Sequence, residues 1–230
     1  MAEGERAGFF SQRSLDASLP EANAVFWTAL IGHIQDDGVS APSVILDVGC
    51  HSGGLLARLI DGLRPERVIG IEPASALRAE AAIRLSPYAA DADLAGLAGW
   101  DEIAPGSIDL MTCHEVLYLV PDLPGFMAQT ATVLAPRASA YVVLGCHAEN
   151  PTWREWKPAM EASGIQTYDR TPFEILSEAA NAGLNAVVQP LRRTGWISYD
   201  PSQAEFRYAD VASMFDHHYR HKLLFRLTRP

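Results

Sequence analysis

The stretch from Val44 to Gly54, Val-Ile-Leu-Asp-Val-Gly-Cys-His-Ser-Gly-Gly, constrains the fold more than any other part of this chain. An apolar run ends in an Asp, a glycine-rich turn follows, and then Leu55, Leu56, Leu59, Ile60 and Leu63 form an apolar stripe closed by Pro65. That order reads as a buried strand feeding a tight turn into an amphipathic helix. Glycines let backbone N–H groups approach a ligand, and the helix N-terminus behind them is electropositive. The turn therefore suits a nucleotide-like cofactor.

Two cofactor classes compete for it. A dinucleotide fingerprint needs G-x-G-x-x-G after the strand, but His51 stands where the second glycine should be. Asp47 also precedes the first glycine, and a carboxylate there repels a pyrophosphate while helping to hold an ammonium group. A second apolar run, Val68-Ile69-Gly70-Ile71, ends in Glu72-Pro73. An acid at the end of the second strand accepts hydrogen bonds from ribose hydroxyls. A ribose joined to a cationic amino-acid moiety, without phosphate, describes S-adenosylmethionine.

On these residues the chain resembles the class I S-adenosylmethionine-dependent methyltransferases of the small-molecule type. Asp47 to Gly53 is similar to their first motif, with His51 in place of its middle glycine, and Ile71-Glu72-Pro73 to the ribose-binding strand end. Asp91-Ala92 resembles the segment whose acid meets the adenine amino group, and Ile108 to Leu117 the fourth strand and its exit. The resemblance implies cofactor contacts at Asp47, Gly49, Cys50, His51, Gly53, Glu72, Pro73, Asp91, Ala92 and Cys113. If the middle position needs a positive φ, His tolerates it better than a β-branched residue.

Alternating strands and helices predict a Rossmann-like α/β fold, a doubly wound, mostly parallel seven-stranded sheet with an antiparallel last strand and a small helical cap. Residues 1–40 are expected to form a leading helical cap segment, with Ala24 to Ile31 in an amphipathic helix ending near Asp37-Gly38. Residues 41–230 are expected to form the cofactor domain, with a cap insertion near 148–170. An alanine-rich helix should run from Pro73 to about Leu85, and a further helix from Pro121–Pro124 to about Leu134. Ser107 to Cys113 and Ala138 to Gly145 read as the fourth and fifth strands, and Thr171-Pro172-Phe173-Glu174 as a capping box. Asn185 to Leu191 and Lys222 to Leu227 read as the last two strands. The third strand is poorly marked: Ser86 to Ala90 carries Pro87 and reads as an edge strand or none.

Each of the three cysteines is followed by histidine: Cys50-His51, Cys113-His114 and Cys146-His147. All three pairs end strands that are neighbours in the family's order, so they should face one crevice. Successive side chains point to opposite faces, and no metal-ligand spacing is present, so no metal is expected. The cysteines read as small apolar fillers. His114 and His147 are candidates for the general base and for substrate contact, since imidazole titrates in the useful range. Glu115 is a further candidate that more commonly bonds within a following helix. Trp153 and Trp156 share a face if helical and would wall an aromatic or planar acceptor, or else pack the cap's own core. Phe9, Phe10, Tyr199 and Tyr208 are candidates to close the same pocket, and Arg154 is a candidate partner for a substrate carboxylate.

The formal net charge of −10 disfavours a nucleic-acid partner, although Arg192-Arg193 and the segment from His217 to Arg229 are locally basic. The latter reads as a solvated strand edge. No apolar stretch of about 18 residues appears, so no membrane span is expected. The polar start, Met1 to Arg6, lacks a signal region and suggests a cytoplasmic location. The implied function is methyl transfer from S-adenosylmethionine to O, N or C of a small organic acceptor in specialised metabolism. An RNA or protein methyltransferase, a non-methylating S-adenosylmethionine-binding protein and, least of all, a nicotinamide dehydrogenase are the alternatives. A homodimer is left open.

Overall fold

The computed structural model describes residues 13–197 and 208–230. Phe9, Phe10 and Tyr199 lie outside the described residues. Helix α1 (Arg13–Asp36) leads into β1 (Val44–Val48), α2 (Gly54–Leu63), β2 (Arg67–Ile71), α3 (Ser75–Leu85), β3 (Asp91–Ala95) and α4 (Leu97–Asp101). Then come β4 (Ile108–His114), α5 (Leu123–Val133), β5 (Leu134–Leu144), α6 (Pro151–Ala162), α7 (Pro172–Asn181) and β6 (Asn185–Pro190). The chain closes with α8 (Val211–Asp216), a π-helical turn (His217–His221) and β7 (Leu223–Thr228).

The strands form one sheet in the order β3-β2-β1-β4-β5-β7-β6, and β7 runs antiparallel to both its neighbours. The order reverses beside β1, so β1 and β4 flank the point where an open α/β sheet leaves a crevice at its carboxyl ends. Side-chain alternation fills both faces. Leu46 and Val48 of β1, Met111 and Cys113 of β4, and Val142 and Leu144 of β5 pack towards α5 and α7. Ile45, Leu110, Tyr141 and Val143 pack on the other face with Phe26, Trp27, Leu30 and Ile34 of α1 and the stripe of α2. Tyr141 Oη donates to Asp37 Oδ2 at 2.8 Å, and Arg226 pairs with Asp37 at 2.9 Å, so the end of α1 is pinned to β5 and β7.

Local chemistry sets the element ends. Asp122 caps α5 through Gly125 N–H, and Asn150 caps α6 through Thr152 N–H. Thr171 and Glu174 form the capping box of α7. The third strand corrects the sequence reading: it begins at Asp91, after the proline-bearing segment, and lies on the sheet edge. The tail is also corrected. It is no solvated edge: β7 lies inside the sheet, β6 is the edge, and His217, His218 and Lys222 are buried. Among the described residues no helix is long and apolar enough to cross a membrane.

Candidate active site

At the β1 exit the backbone turns through left-handed conformations at Gly49, His51 and Gly53, with φ of 79°, 49° and 76°. His51 thus adopts the positive φ that the turn demands. The N–H groups of Gly49 and Cys50 donate to Ile71 O at 2.8 and 3.1 Å, and His51 N–H donates to Glu72 Oε2 at 3.1 Å. Glu72 Oε1 also accepts from Ala74 N–H at 2.9 Å. Glu72 therefore fastens the turn to the β2 exit, and burial raises its carboxyl above the ordinary range. The N-terminus of α2 has no side-chain cap. A side chain at Gly49 would collide with Val116, which follows β4.

Asp47 is 2 % exposed and accepts a hydrogen bond from Thr112 Oγ1 at 2.7 Å. Burial pushes its carboxyl up to about 7, against the lowering effect of that bond. Cys50 packs beneath Gly70, where an added Cβ would fall 2.7 Å from its sulfur. Cys113 and Cys146 are buried too, and burial raises all three thiols, so they are protonated fillers.

Asp91 and Ala92 are not brought to this crevice. They pair with Arg67 and Val68 at the entry of β2, at the opposite end of the sheet from Glu72. The residue beside Glu72 is Ala95, whose carbonyl accepts the Glu72 N–H at 2.9 Å, followed by Gly96 and α4. The usable signal was Gly96, a glycine directly after the short run Leu94-Ala95. Pro73 is exposed at the rim.

At the β4 and β5 exits, Cys113-His114 and Cys146-His147 end neighbouring strands, but their side chains diverge. His114 meets Trp27 of α1 edge to face, with ring centroids 6.2 Å apart. Its Nε2 and Trp27 Nε1 are both buried and have no partner among the described residues. Burial, reinforced by the charge of Lys222, lowers His114 to about 3, so the ring is neutral. His147 is 1 % exposed; its Nε2 donates to His221 O at 2.9 Å, and its ring packs on His221. It is an interior residue tethered at Nε2, while its Nδ1 is buried without a partner among the described residues.

Trp153 and Trp156 are also separated. Trp153 is fully buried against Tyr118, 5.0 Å between centroids, and its N–H donates to Asp169 at 3.2 Å. It belongs to the core beneath α6. Trp156 is half-buried, 4.9 Å from His217 and 5.3 Å from Tyr208. Arg154 donates to Ala148 O.

Glu115, at φ 57°, reaches across to the β5 exit instead of bonding within a helix. It accepts from Gly145 N–H at 2.7 Å, from Cys146 N–H at 3.3 Å and from Lys222 Nζ at 2.5 Å. Burial would raise its carboxyl, but Lys222 and the hydrogen bonds reverse the sign and hold it below the usual value. Lys222 Nζ lies 4.4 Å above the Phe26 ring. Asn150 donates to Gly145 O at 2.6 Å and contacts His217 Nδ1 at 2.9 Å. Arg193 turns inward to His218 Nδ1 at 3.0 Å, while Arg192 is exposed, so the two do not form one basic patch. Sequence reasoning missed Phe26, Trp27, Lys222 and the π-helical histidines, because only the fold brings chain ends to the β4 exit.

A family model described as "Methyltransferase domain" matches residues 10–189. The ubiquinone biosynthesis O-methyltransferase of Cupriavidus pinatubonensis is 29% identical over 167 residues, covering 66% of this chain. The chain spans 64% of that relative's length. A chain from a complex of the Haloferax volcanii Trm112 methyltransferase activator superposes with a TM-score of 0.74 at 18% identity, over 94% of this chain and 96% of that one. The geranyl diphosphate C-methyltransferase of Streptomyces coelicolor, solved with Mg2+, geranyl diphosphate and S-adenosyl-L-homocysteine, gives 0.67 at 16% identity, over 88% and 80%. At such identities these two structures speak for the fold.

Proposed function

Because the chain belongs to the methyltransferase-domain family, as a class I S-adenosylmethionine-dependent methyltransferase, we propose that it methylates a hydroxyl oxygen of a small organic acceptor. The observation that carries the choice of oxygen is the unpartnered pair Trp27 Nε1 and His114 Nε2. Indole N–H only donates, and a neutral imidazole nitrogen can accept. A hydroxyl does both, so it satisfies the two together.

S-adenosylmethionine fits the residues at the β1 and β2 exits. Asp47 offers a buried carboxyl that gains by ionising beside an ammonium, Gly49 keeps the turn free of a side chain, and Glu72 presents an acid at the β2 exit. In this reading Asp47, Gly49, Cys50, His51, Gly53, Glu72 and Pro73 hold the cofactor. Gly96 and Leu97 take the adenine side in place of Asp91 and Ala92, and Cys113 is a small wall. When bound, the cofactor supplies an electrophilic methyl carbon and leaves as a neutral thioether.

The residues of this chain align the acceptor. Trp27 N–H holds the acceptor oxygen, and His114 Nε2 takes the hydrogen bond from its proton, which supplies proximity and orientation. As the oxygen–carbon bond forms, the oxygen becomes far more acidic than an alcohol. Its proton then passes to His114, a weak base at about 3, and on to water. His114 thus acts late and need not ionise the free hydroxyl. The net charge of −10 and the inward turn of Arg193 weigh against an RNA acceptor.

The test is methyl transfer from labelled S-adenosylmethionine to a panel of phenols and matched anilines, with products located by mass spectrometry. Products methylated on oxygen are expected. Methylation only on nitrogen or carbon, or none with cofactor binding intact, would overturn the reading.

A further inference from the structure

Around Phe26, two buried cations are accompanied by one carboxylate among the described residues. Lys222 and Arg193 are 4% and 8% exposed. Lys222 is matched by Glu115. Arg193 has no carboxylate partner among the described residues: Nη1 meets His218 Nδ1 at 3.0 Å, Nη2 donates to Trp196 O at 2.7 Å, and Nε is buried without a partner. An arginine only donates, so His218 Nδ1 accepts. The histidines facing the cluster, His114, His217 and His218, are held neutral, chiefly by burial, and bring no negative charge. Among the described residues the cluster therefore carries a surplus positive charge out of water, which is costly until an anion joins it.

The surroundings of Arg193 are aromatic. Its guanidinium lies 5.7 Å from the Phe26 ring, and the His218 it touches lies 5.1 Å from Phe26 and 5.9 Å from Tyr208. Tyr208 in turn meets Trp156. Phe26 is the chain neighbour of Trp27 and also lies under Lys222, so this cluster is continuous with the hydroxyl-binding pair.

We propose that Arg193 receives a carboxylate carried by a planar acceptor, so that the acceptor class is an aromatic hydroxy acid. The planar fork of a guanidinium matches a carboxylate, and the aromatic side chains suit a ring. This rests on the reading of the acceptor site above and adds the acceptor's charge.

The test uses benzoate and its uncharged isostere benzamide, titrated calorimetrically into the full chain with and without saturating S-adenosylhomocysteine. Benzoate should bind about tenfold tighter or more, as charge-assisted bonds do. Arg193→Gln should bring the ratio to about one with S-adenosylhomocysteine affinity kept, and Arg193→Lys should retain part of it. Equal binding of the two probes, binding of neither, or a preference that survives in Arg193→Gln overturns the proposal. Should that variant fail to fold, the wild-type ratio alone decides. Failure of the wild type to bind S-adenosylhomocysteine would instead sink the methyltransferase reading, and the cofactor-free titration keeps the two outcomes apart.

Discussion

Trp27 of α1 and His114 at the end of β4 meet with ring centroids 6.2 Å apart, and each keeps a buried nitrogen without a partner among the described residues. Each such nitrogen costs about 1–3 kcal/mol while unsatisfied. In the proposed reading a hydroxyl seated between them recovers that cost.

Removing either nitrogen should therefore weaken turnover without touching the cofactor. We expect His114→Phe to lower kcat roughly 10–100-fold and Trp27→Phe to lower kcat/KM about tenfold, with S-adenosylhomocysteine affinity unchanged. Because His114 is held at about 3, wild-type kcat should show no limb near the ordinary histidine value. Steady-state kinetics from pH 5.5 to 8.5 checks this. A limb near 6.5 that disappears in the variant would make His114 an ordinary titrating base.

Asp47 should couple stability and cofactor binding to pH. Its carboxyl is raised in the folded chain from 3.8 to about 7, so the folded state binds the extra proton. The associated stability is present below the unfolded value and lost as pH rises towards 7, by about 4 kcal/mol in all. Glu72 shifts in the same direction, whereas Glu115, held below its usual value, loses its contribution as pH falls beneath about 4.5. Urea titrations of the ligand-free protein between pH 5 and 7.5 should show the decline, and Asp47→Asn should flatten it. If ionised Asp47 meets the cofactor's ammonium, binding should tighten about tenfold between pH 6 and 8.

The Glu115–Lys222 pair should behave as a unit. Lys222→Met or Glu115→Gln leaves a buried charge or polar group behind and should cost about 3–5 kcal/mol. The double variant should be more stable than the sum of the single losses implies. Chemical denaturation in a double-mutant cycle measures this, and simple additivity would mean the pair is not coupled.

Much of this arrangement was legible from local patterns. The run Val44 to Gly54 marks β1, the turn and α2, and Thr171 to Glu174 marks the start of α7, because strand burial and helix capping are short-range effects. The same short-range pattern puts Glu72 directly after β2. Asp91 was misplaced because a five-residue edge strand with three exposed positions gives little periodicity, and a shift of four residues moves a side chain from one sheet end to the other. The acceptor side was least legible. His147 and Trp153 look like pocket residues in sequence, yet their neighbours His221, Tyr118 and Asp169 turn them into the interior. Lys222, His217 and His218 read as solvated charge because their partners, Glu115, Asn150 and Arg193, are distant in the chain.

The most direct test of the central claim is calorimetric titration of S-adenosylhomocysteine into wild type, Glu72→Ala and Asp91→Ala. The account predicts micromolar binding to wild type, a loss of about tenfold or more in Glu72→Ala, whose carboxylate fastens the turn, and no change in Asp91→Ala, at the far end of the sheet. No binding to well-folded wild type, or a loss in Asp91→Ala equal to that in Glu72→Ala, would contradict it.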